Sequence, residues 1–86
     1  MNREELNKAV SVWFKNKEDA IQQFGQISSW DTGLVEDMSH LFDCSDDPKK
    51  KNFNEDIGSW DVSNVRKMDY LFRKQFSFNQ VPQITF

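Results

Sequence analysis

His40 and Cys44 are the residues of this chain whose types and spacing come nearest to nucleophilic chemistry. They are its one histidine and its one cysteine, four positions apart, so they would face each other on a continuous helix. A cysteine activated by a histidine can act as a nucleophile. No Asn or Asp that would orient the histidine and no oxyanion donors can be assigned, and Cys44 begins a predicted loop. We therefore predict that the protein is not an enzyme and has no cofactor.

Acidic residues around position 43 offer a second kind of chemistry, the binding of a calcium ion through carboxylate oxygens. Asp43, Asp46 and Asp47 lie close together in the sequence, with Glu36 and Asp37 nearby. The run lacks the glycine and the terminal glutamate of an EF-hand loop. No two carboxylates form an identifiable buried pair, so hydrolase chemistry has no candidate residues either. We predict no metal site.

The composition limits the chain to one small domain with a dense aromatic core. Its 86 residues include eight Phe, three Trp and one Tyr, and this apolar content favours a packed core over disorder. The net charge of −3 argues against nucleic acid as a partner. The basic run at 49–51 follows Asp46 and Asp47 directly, and we interpret it as a solvated loop.

The sequence shows no feature of a secreted or membrane-inserted protein. A single cysteine excludes an intramolecular disulfide, which small secreted chains usually need. The charged residues MNREELNKAV lack the apolar run of a signal peptide, and no segment reaches transmembrane length. We predict a soluble, intracellular protein that is not inserted in a membrane.

Residues 1–25 are predicted to form two helices. An apolar stripe with the spacing of one helix face runs through Leu6, Ala9, Val10, Trp13 and Phe14. Asn2 and Glu5 resemble a capping box at the start of the first helix. A second helix is predicted after Asn16, with acidic residues in its first turn and Gly25 at its end. We expect the pair to cover the residues that follow, as a helical cap.

The rest of the chain contains one pattern twice. ISSWDTGLVEDMSHLF at 27–42 recurs as IGSWDVSNVRKMDYLF at 57–72. The matched residues are Ile27, Trp30, Asp31, Val35, Met38, Leu41 and Phe42 in the first copy, and Ile57, Trp60, Asp61, Val65, Met68, Leu71 and Phe72 in the second. The apolar residues of the second half of each copy have the spacing of a helix, with Ser63 as a candidate N-cap. We interpret the Ile-x-x-Trp segment before it as a short strand.

The distance between equivalent residues indicates a stack of repeating units. Phe53 and Phe78 are 25 residues apart, and a period in the twenties is typical of a solenoid. The first unit carries a few extra residues, which we place in a polar, proline-containing loop. The predicted divisions are a cap at 1–25, unit one at 26–52 with its loop at 44–52, unit two at 53–77, and a partial third unit at 78–86.

The second copy resembles a known repeat family. The residues that carry the likeness are Phe53, Asn54, Ile57, Trp60, Asp61, Ser63, Asn64, Val65, Met68, Leu71 and Phe72. They fit the pattern FNxDIGSWDVSNVxxMxxLF, which is similar to the BspA-like leucine-rich-repeat surface proteins. The family is also described as a domain of unknown function abundant in wall-less bacteria, and it occurs in algae and large DNA viruses. The first copy departs from the pattern at Gly33 and Leu34.

The resemblance covers 24–86 at the level of the repeat. For the fold, it implies a short leucine-rich-repeat-like solenoid of about two strand–helix units, in the α/β (α+β) class. For function, it implies adhesion at a cell surface.

The Trp and Asp of each copy have a structural interpretation. We expect Trp30 and Trp60 to pack between layers of the stack. We expect Asp31 and Asp61 to accept hydrogen bonds from backbone amides at the helix starts. Two stacked carboxylates would repel each other unless those amides satisfy them.

The C-terminal residues begin a third unit and do not complete it, because no second half follows Ile84. The apolar residues of this segment are Phe76, Phe78, Val81, Ile84 and Phe86. Such an edge leaves an apolar layer without its next neighbour. Two alternatives remain open: the segment caps its own stack, or a protein partner or a second copy of the chain covers it.

These observations predict a non-catalytic module for protein–protein interaction or scaffolding, as a small subunit of a larger assembly. The alternative is a structural or adhesion protein of a cell surface or virion, as the family resemblance implies. The sequence does not identify the partner, the source or the oligomeric state, nor whether the chain is a piece of a longer repeat array.

Overall fold

Two α-helices form the N-terminal part of the chain. The computed structural model describes residues 1–45, 48–50 and 53–73. Helix α1 spans Arg3–Lys15, and helix α2 spans Lys17–Phe24. Both helices confirm the prediction from apolar spacing and capping residues.

Side-chain caps define the ends of these helices. The backbone N–H of Glu5 donates to Oδ1 of Asn2 at 2.8 Å, and the Asn2 N–H donates to Oε1 of Glu5 at 3.4 Å, which completes the predicted capping box. Asn16 serves both helices, because its N–H donates to the Val12 carbonyl at 2.7 Å and its side chain caps α2. Gly25 ends α2 with a φ of 82°, a conformation that glycine adopts without strain.

The apolar stripe of α1 is the largest helical contribution to the core. Its buried residues are Leu6, Ala9, Val10 and Trp13. Helix α2 adds the buried Ala20 and packs along α1. The helical pair therefore lies against the first copy of the repeat, where the rings of Trp13 and Trp30 meet at right angles, 5.6 Å between centroids.

The predicted strand–helix solenoid is wrong. Neither an α-helix nor a strand occurs among the described residues after Phe24, so the chain is not an α/β repeat of the leucine-rich-repeat type. Where the structure describes it, the repeat is instead built from turns and two short 3₁₀ helices, Ile27–Ser29 and Pro48–Lys50. In the described part of the chain, one isolated parallel bridge joins Asp37 to Lys67.

Backbone conformation explains why no helix forms in the second half of each copy. His40 and Tyr70 have φ angles of 61° and 58°, in the left-handed region, which interrupts an α-helix at equivalent positions. The N–H of Ser39 also donates to Oδ1 of Asp37 at 2.8 Å, and such a local bond competes with helical hydrogen bonding. The apolar residues from Val35 onward reach the core through turns.

The two copies nevertheless lie side by side. Four backbone N–H groups in and just after the first copy each donate to a carbonyl 29 residues further along. The bonds run from Met38 to Lys67 at 2.8 Å, from His40 to Asp69 at 3.0 Å, from Phe42 to Leu71 at 2.9 Å and from Cys44 to Arg73 at 3.1 Å. In the opposite direction, among the described residues, the Glu36 carbonyl alone accepts from backbone N–H groups of the second copy, those of Arg66 and Lys67. The bonding is therefore one-sided, and no regular strand pair results.

Aromatic rings of the two copies form the centre of the core. Trp30 stacks on Trp60 at 6.2 Å between centroids, and Phe42 stacks on both Phe53 at 4.2 Å and Phe72 at 5.7 Å. The remaining buried apolar residues of the repeat are Ile27, Val35, Met38, Leu41, Ile57 and Leu71. Burial of this apolar surface is the main source of stability in so small a chain.

Candidate functional site

The first copy has an edge that faces the helices, and the N-terminal residues supply hydrogen-bond donors to it. The Arg3 guanidinium donates from Nη1 to the Asp37 carbonyl at 2.9 Å and from Nη2 to the Ser39 carbonyl at 2.7 Å. The Met1 ammonium donates to the Asp31 carbonyl at 2.9 Å. This inner edge is thus an acceptor edge that the chain has capped itself.

Comparison of the two copies shows what these donors replace. The carbonyls of Lys67 and Asp69, equivalent to those of Asp37 and Ser39, accept from backbone N–H groups of the first copy. The Asp61 carbonyl, equivalent to that of Asp31, accepts from the Thr32 hydroxyl at 3.0 Å. Arg3 and Met1 therefore donate to the carbonyls that would accept from a preceding copy.

The second copy has an outer edge that presents backbone N–H donors. Met68 and Tyr70 are equivalent to Met38 and His40, whose N–H groups donate to the second copy. Among the described residues, no backbone acceptor is found for the N–H of Met68 or of Tyr70. The outer edge therefore offers N–H donors at Met68 and Tyr70, beside the carbonyl of Arg66, which is equivalent to the accepting carbonyl of Glu36.

An apolar surface, which we call the outer face, adjoins this edge. It consists of the half-buried Val62, Val65, Met68 and Phe72. The residues at the equivalent positions of the first copy are Thr32, Val35, Met38 and Phe42, each exposing 1% or less of its surface. The difference arises because the second copy covers the first, whereas the outer face of the second copy keeps part of its surface in contact with solvent.

Charges alternate between the copies. Glu36 of the first copy lies 3.7 Å from Arg66 of the second, between Oε1 and Nε, and both side chains are largely exposed. Hydrogen bonds from the Ser39 hydroxyl and N–H lower the pKa of the Asp37 carboxyl, and the charges of Arg3 and Lys67 lower it further. The first copy is acidic at these positions and the second copy is basic.

Asp43 is a buried carboxylate at the end of the first copy, with a fully enclosed side chain. Its Oδ1 accepts from the Ser45 N–H at 2.9 Å and from the Ser45 hydroxyl at 2.7 Å. Its Oδ2 accepts from Nε of Arg73 at 2.9 Å and from Nδ1 of His40 at 2.8 Å. Burial opposes ionisation, but the hydrogen bonds from Ser45, Arg73 and His40 together outweigh it and hold the pKa of Asp43 well below its ordinary range.

A model of the family described as Mycoplasma protein of unknown function, DUF285, matches residues 8–85 of this chain. The chain belongs to this family. Comparisons with curated proteins and with solved structures gave no match. None of the helices in the described residues is both long and apolar enough to cross a lipid bilayer.

In this DUF285 chain, the candidate catalytic residues His40 and Cys44 contact Asp43 and Arg73. Nδ1 of His40 is directed to Asp43, and Sγ of Cys44 lies 3.8 Å from the Arg73 carbonyl oxygen. Asp43 is thus a carboxylate that orients His40, which sequence reasoning had not assigned. The contacts join the two copies and tie the end of the first one to Arg73.

The candidate calcium ligands each make different contacts. Asp37 and Asp43 accept hydrogen bonds from neighbouring serines, and Glu36 lies at the surface near Arg66. Asp46 and Asp47 lie outside the described residues. Within the ranges that the structure describes, no group of three His, Cys, Asp or Glu side chains is placed to hold a metal ion.

The structure places most of the repeat residues in the core. The buried ones are Ile27, Trp30, Met38, Phe42, Ile57 and Trp60, and Met68 and Phe72 belong to the outer face. Asp31 and Asp61 are exposed and accept from the N–H groups of Gly33 at 3.1 Å and Ser63 at 3.0 Å, in turns that no helix follows. The candidate partner-binding residues Phe76, Phe78, Val81, Ile84 and Phe86 lie outside the described residues.

One local signal for these turns was present in the sequence. Five aspartates each accept the backbone N–H of the residue two positions further on, which is serine or glycine every time; they are Asp31, Asp37, Asp43, Asp56 and Asp61. Asp-x-Ser and Asp-x-Gly are typical of such turns. Reading this spacing would have predicted turns in place of helices. Arg3 carries no comparable signal, because its two acceptors are more than thirty residues away.

Proposed function

We propose that the protein is a non-catalytic module for protein–protein interaction or scaffolding, and that it binds its partner through the outer face. The observation that carries this proposal is the difference between equivalent residues of the two copies. Val35 and Met38 are buried by the next copy, whereas Val65 and Met68 keep part of their apolar surface exposed. An apolar surface beside open hydrogen-bond donors is typical of an interaction site.

The roles of the titratable residues support a non-catalytic function. Among the described residues, Asp43 has the clearest pKa shift, and perturbed pKa values are common at active sites. Its carboxylate is enclosed, however, and both of its oxygens accept hydrogen bonds from the chain itself. A carboxylate engaged in this way holds the two copies together and is not presented to a substrate.

Within the DUF285 family, we propose that this repeat is of the BspA-like kind, on the motif FNxDIGSWDVSNVxxMxxLF. Adhesion at a cell surface and a structural role in a virion remain predictions from that likeness. Limited proteolysis of intact cells or particles separates them from an intracellular role. Digestion of this chain under conditions that spare an internal marker protein would favour the surface alternative.

Site-specific photo-crosslinking tests the interaction proposal. A photoreactive benzophenone amino acid is introduced at Val65 on the outer face, or at Lys8 on the exposed side of α1 as the control. Each purified chain is irradiated in an extract of its source, and adducts are identified by mass spectrometry. We expect one discrete protein adduct at position 65 that excess unlabelled chain suppresses, and none at position 8.

The pattern of adducts decides between the outcomes. An adduct of twice the mass of the chain would assign the outer face to a homo-oligomer, and a heavier adduct would assign it to a different protein. Equal labelling at both positions, or labelling that unlabelled chain does not suppress, would show that the outer face has no specific partner.

A further inference from the structure

We propose that the outer edge binds a segment of another polypeptide that carries an acidic copy of this same repeat, aligned parallel to the second copy. This inference rests on the proposed function and names the class of partner. The segment would supply carbonyl oxygens to the N–H groups of Met68 and Tyr70. Its apolar side chains would cover Val65 and the rest of the outer face.

Charge disfavours the simplest symmetric partner. Two molecules that met outer edge to outer edge would bring the exposed Arg66 and Lys67 of one against the same cations of the other. Head-to-tail addition of an intact second molecule is also blocked. The acceptor edge of that molecule is already occupied by its own Arg3, with α1 packed over it. The occupant must therefore be a segment whose carbonyls are not capped.

The contact between the two copies shows what shape of segment fits. The Trp60 indole donates from Nε1 to the Ile27 carbonyl at 2.7 Å while its ring stacks on Trp30. The Ser59 hydroxyl donates to the Ser28 carbonyl at 2.9 Å. A segment with Ser and Trp at these positions would repeat the same contacts one layer further out. The occupant is therefore specified by the repeat pattern itself.

Charge favours an acidic copy of the repeat over a basic one as the occupant of the outer edge. The acidic first copy meets the basic second copy through Glu36 with Arg66, and through Asp43 with Arg73 at 2.9 Å. Arg66 and Lys67 immediately precede Met68 in the sequence, and the side chains of both are exposed. A segment with acidic residues at these positions gains attraction, whereas one like the second copy brings cations against cations.

Two synthetic peptides from the chain itself provide matched probes. The acidic probe is ISSWDTGLVEDMSHLFD, residues 27–43, and the basic control is IGSWDVSNVRKMDYLFR, residues 57–73. Binding of each fluorescein-labelled peptide to the complete chain is measured by fluorescence anisotropy. We expect the acidic peptide to bind at least about tenfold more tightly than the basic one, and addition of salt to reduce this preference.

A charge-reversed chain provides the second comparison. The double variant Arg66→Glu with Lys67→Glu also places carboxylates near Glu36 and Asp37 of the first copy, so a lower unfolding temperature is expected, and binding is measured at a temperature at which both chains are folded. The variant is expected to reverse the preference and bind the basic peptide more tightly. Equal affinity of both peptides for both chains would overturn the proposed charge selection.

Amide hydrogen exchange locates the bound peptide. We expect the N–H groups of Met68 and Tyr70 to exchange quickly in the free chain and at least about tenfold more slowly when the acidic peptide is bound. The N–H groups of Met38 and His40 are bonded to the second copy in the free chain, so loss of their protection would show that the peptide displaces the first copy, and the proposal would be wrong. Absence of binding, with Met68 and Tyr70 already protected in the free chain, would overturn it and assign the edge to the chain itself. A specific crosslink at Val65 to a protein without the repeat would refute this inference and leave the proposed function intact.

Discussion

At the scale of single residues, Asp43 connects the two copies most directly. Its carboxylate accepts from Ser45 and His40 in its own copy and from Arg73 in the other. A buried carboxylate is costly unless its charge and all its acceptor positions are satisfied. These bonds keep the pKa of Asp43 below its ordinary range, so the residue stabilises the fold in its ionised form.

Replacement of this carboxylate tests that role. Asp43→Asn removes the charge that Arg73 faces, and we expect the free energy of unfolding at pH 7 to fall by about 3 kcal/mol. The folded pKa of Asp43 lies below the unfolded value of about 3.9, so its contribution is present above that value and is lost as pH falls below it. Urea unfolding at pH 7 and pH 3 should therefore show a smaller pH dependence in the variant than in the wild type.

Asp69→Asn is the matched control, because Asp69 is exposed in the equivalent region of the second copy. We expect it to change stability by less than about 0.5 kcal/mol. Parallel pH dependence in the wild type and Asp43→Asn would mean that other carboxylates, such as Asp37 and Asp61, account for the acid sensitivity.

At the scale of elements, local signals located the helices, and in the repeat the Asp-x-Ser and Asp-x-Gly spacing indicated turns where the apolar spacing indicated helices. Asn2, Asn16 and Gly25 act within one turn of their own positions, so sequence alone located both helices. The apolar spacing that starts at Val35 fits a helix and a series of turns equally well. The N–H of His40, whose φ angle is positive, donates to the carbonyl of Asp69, and no local pattern reveals a pairing between residues 29 positions apart.

The cap of the inner edge gives a prediction at this scale. Arg3→Met keeps most of the aliphatic stem but leaves the carbonyls of Asp37 and Ser39 without their donor. Hydrogen bonds from charged donors contribute about 1.5–3 kcal/mol each, and water can replace part of this at a half-buried site. We expect Arg3→Met to reduce the free energy of unfolding by about 2 kcal/mol, measured by urea denaturation.

The control lies on the same helix. Lys8 is exposed on α1, and Lys8→Met removes the same charge without removing a bond to the first copy. A change of less than about 0.5 kcal/mol is expected there. If both variants lose the same stability, the loss reflects net charge and not the cap.

At the scale of the whole molecule, the two copies differ in the burial of equivalent residues, because those of the outer face are only half-buried. Met38 exposes 1% of its surface, and Met68 at the same place in the second copy is half-buried. Sequence alone placed both among the repeat residues but did not separate their environments, because burial depends on what lies next to each copy. The two methionines therefore form a natural pair for comparison.

Truncation of each methionine measures how well its copy is covered. Met38→Ala is expected to cost about 2–5 kcal/mol, the range for a buried methionine, because it leaves a cavity between the copies. Met68→Ala is expected to cost about 1 kcal/mol or less in the isolated chain. Thermal and urea unfolding of the two variants provide the comparison. Equal losses would show that the outer face is already covered and would remove the basis of the proposed binding site.

Residues that are hydrogen-bonded between the two copies lie at a nearly constant separation along the sequence, and this separation affects how the chain folds. Backbone bonds between the copies join residues 29 to 31 positions apart, and closing the first such loop costs about 3 kcal/mol of entropy plus a constant. Once one pair has formed, its neighbours are already aligned, so each further bond orders only a few residues. The entropy of loop closure is therefore lost only once. We expect the locally folded helices to hold the first copy, and the second copy then to pair with it residue by residue from the first bond.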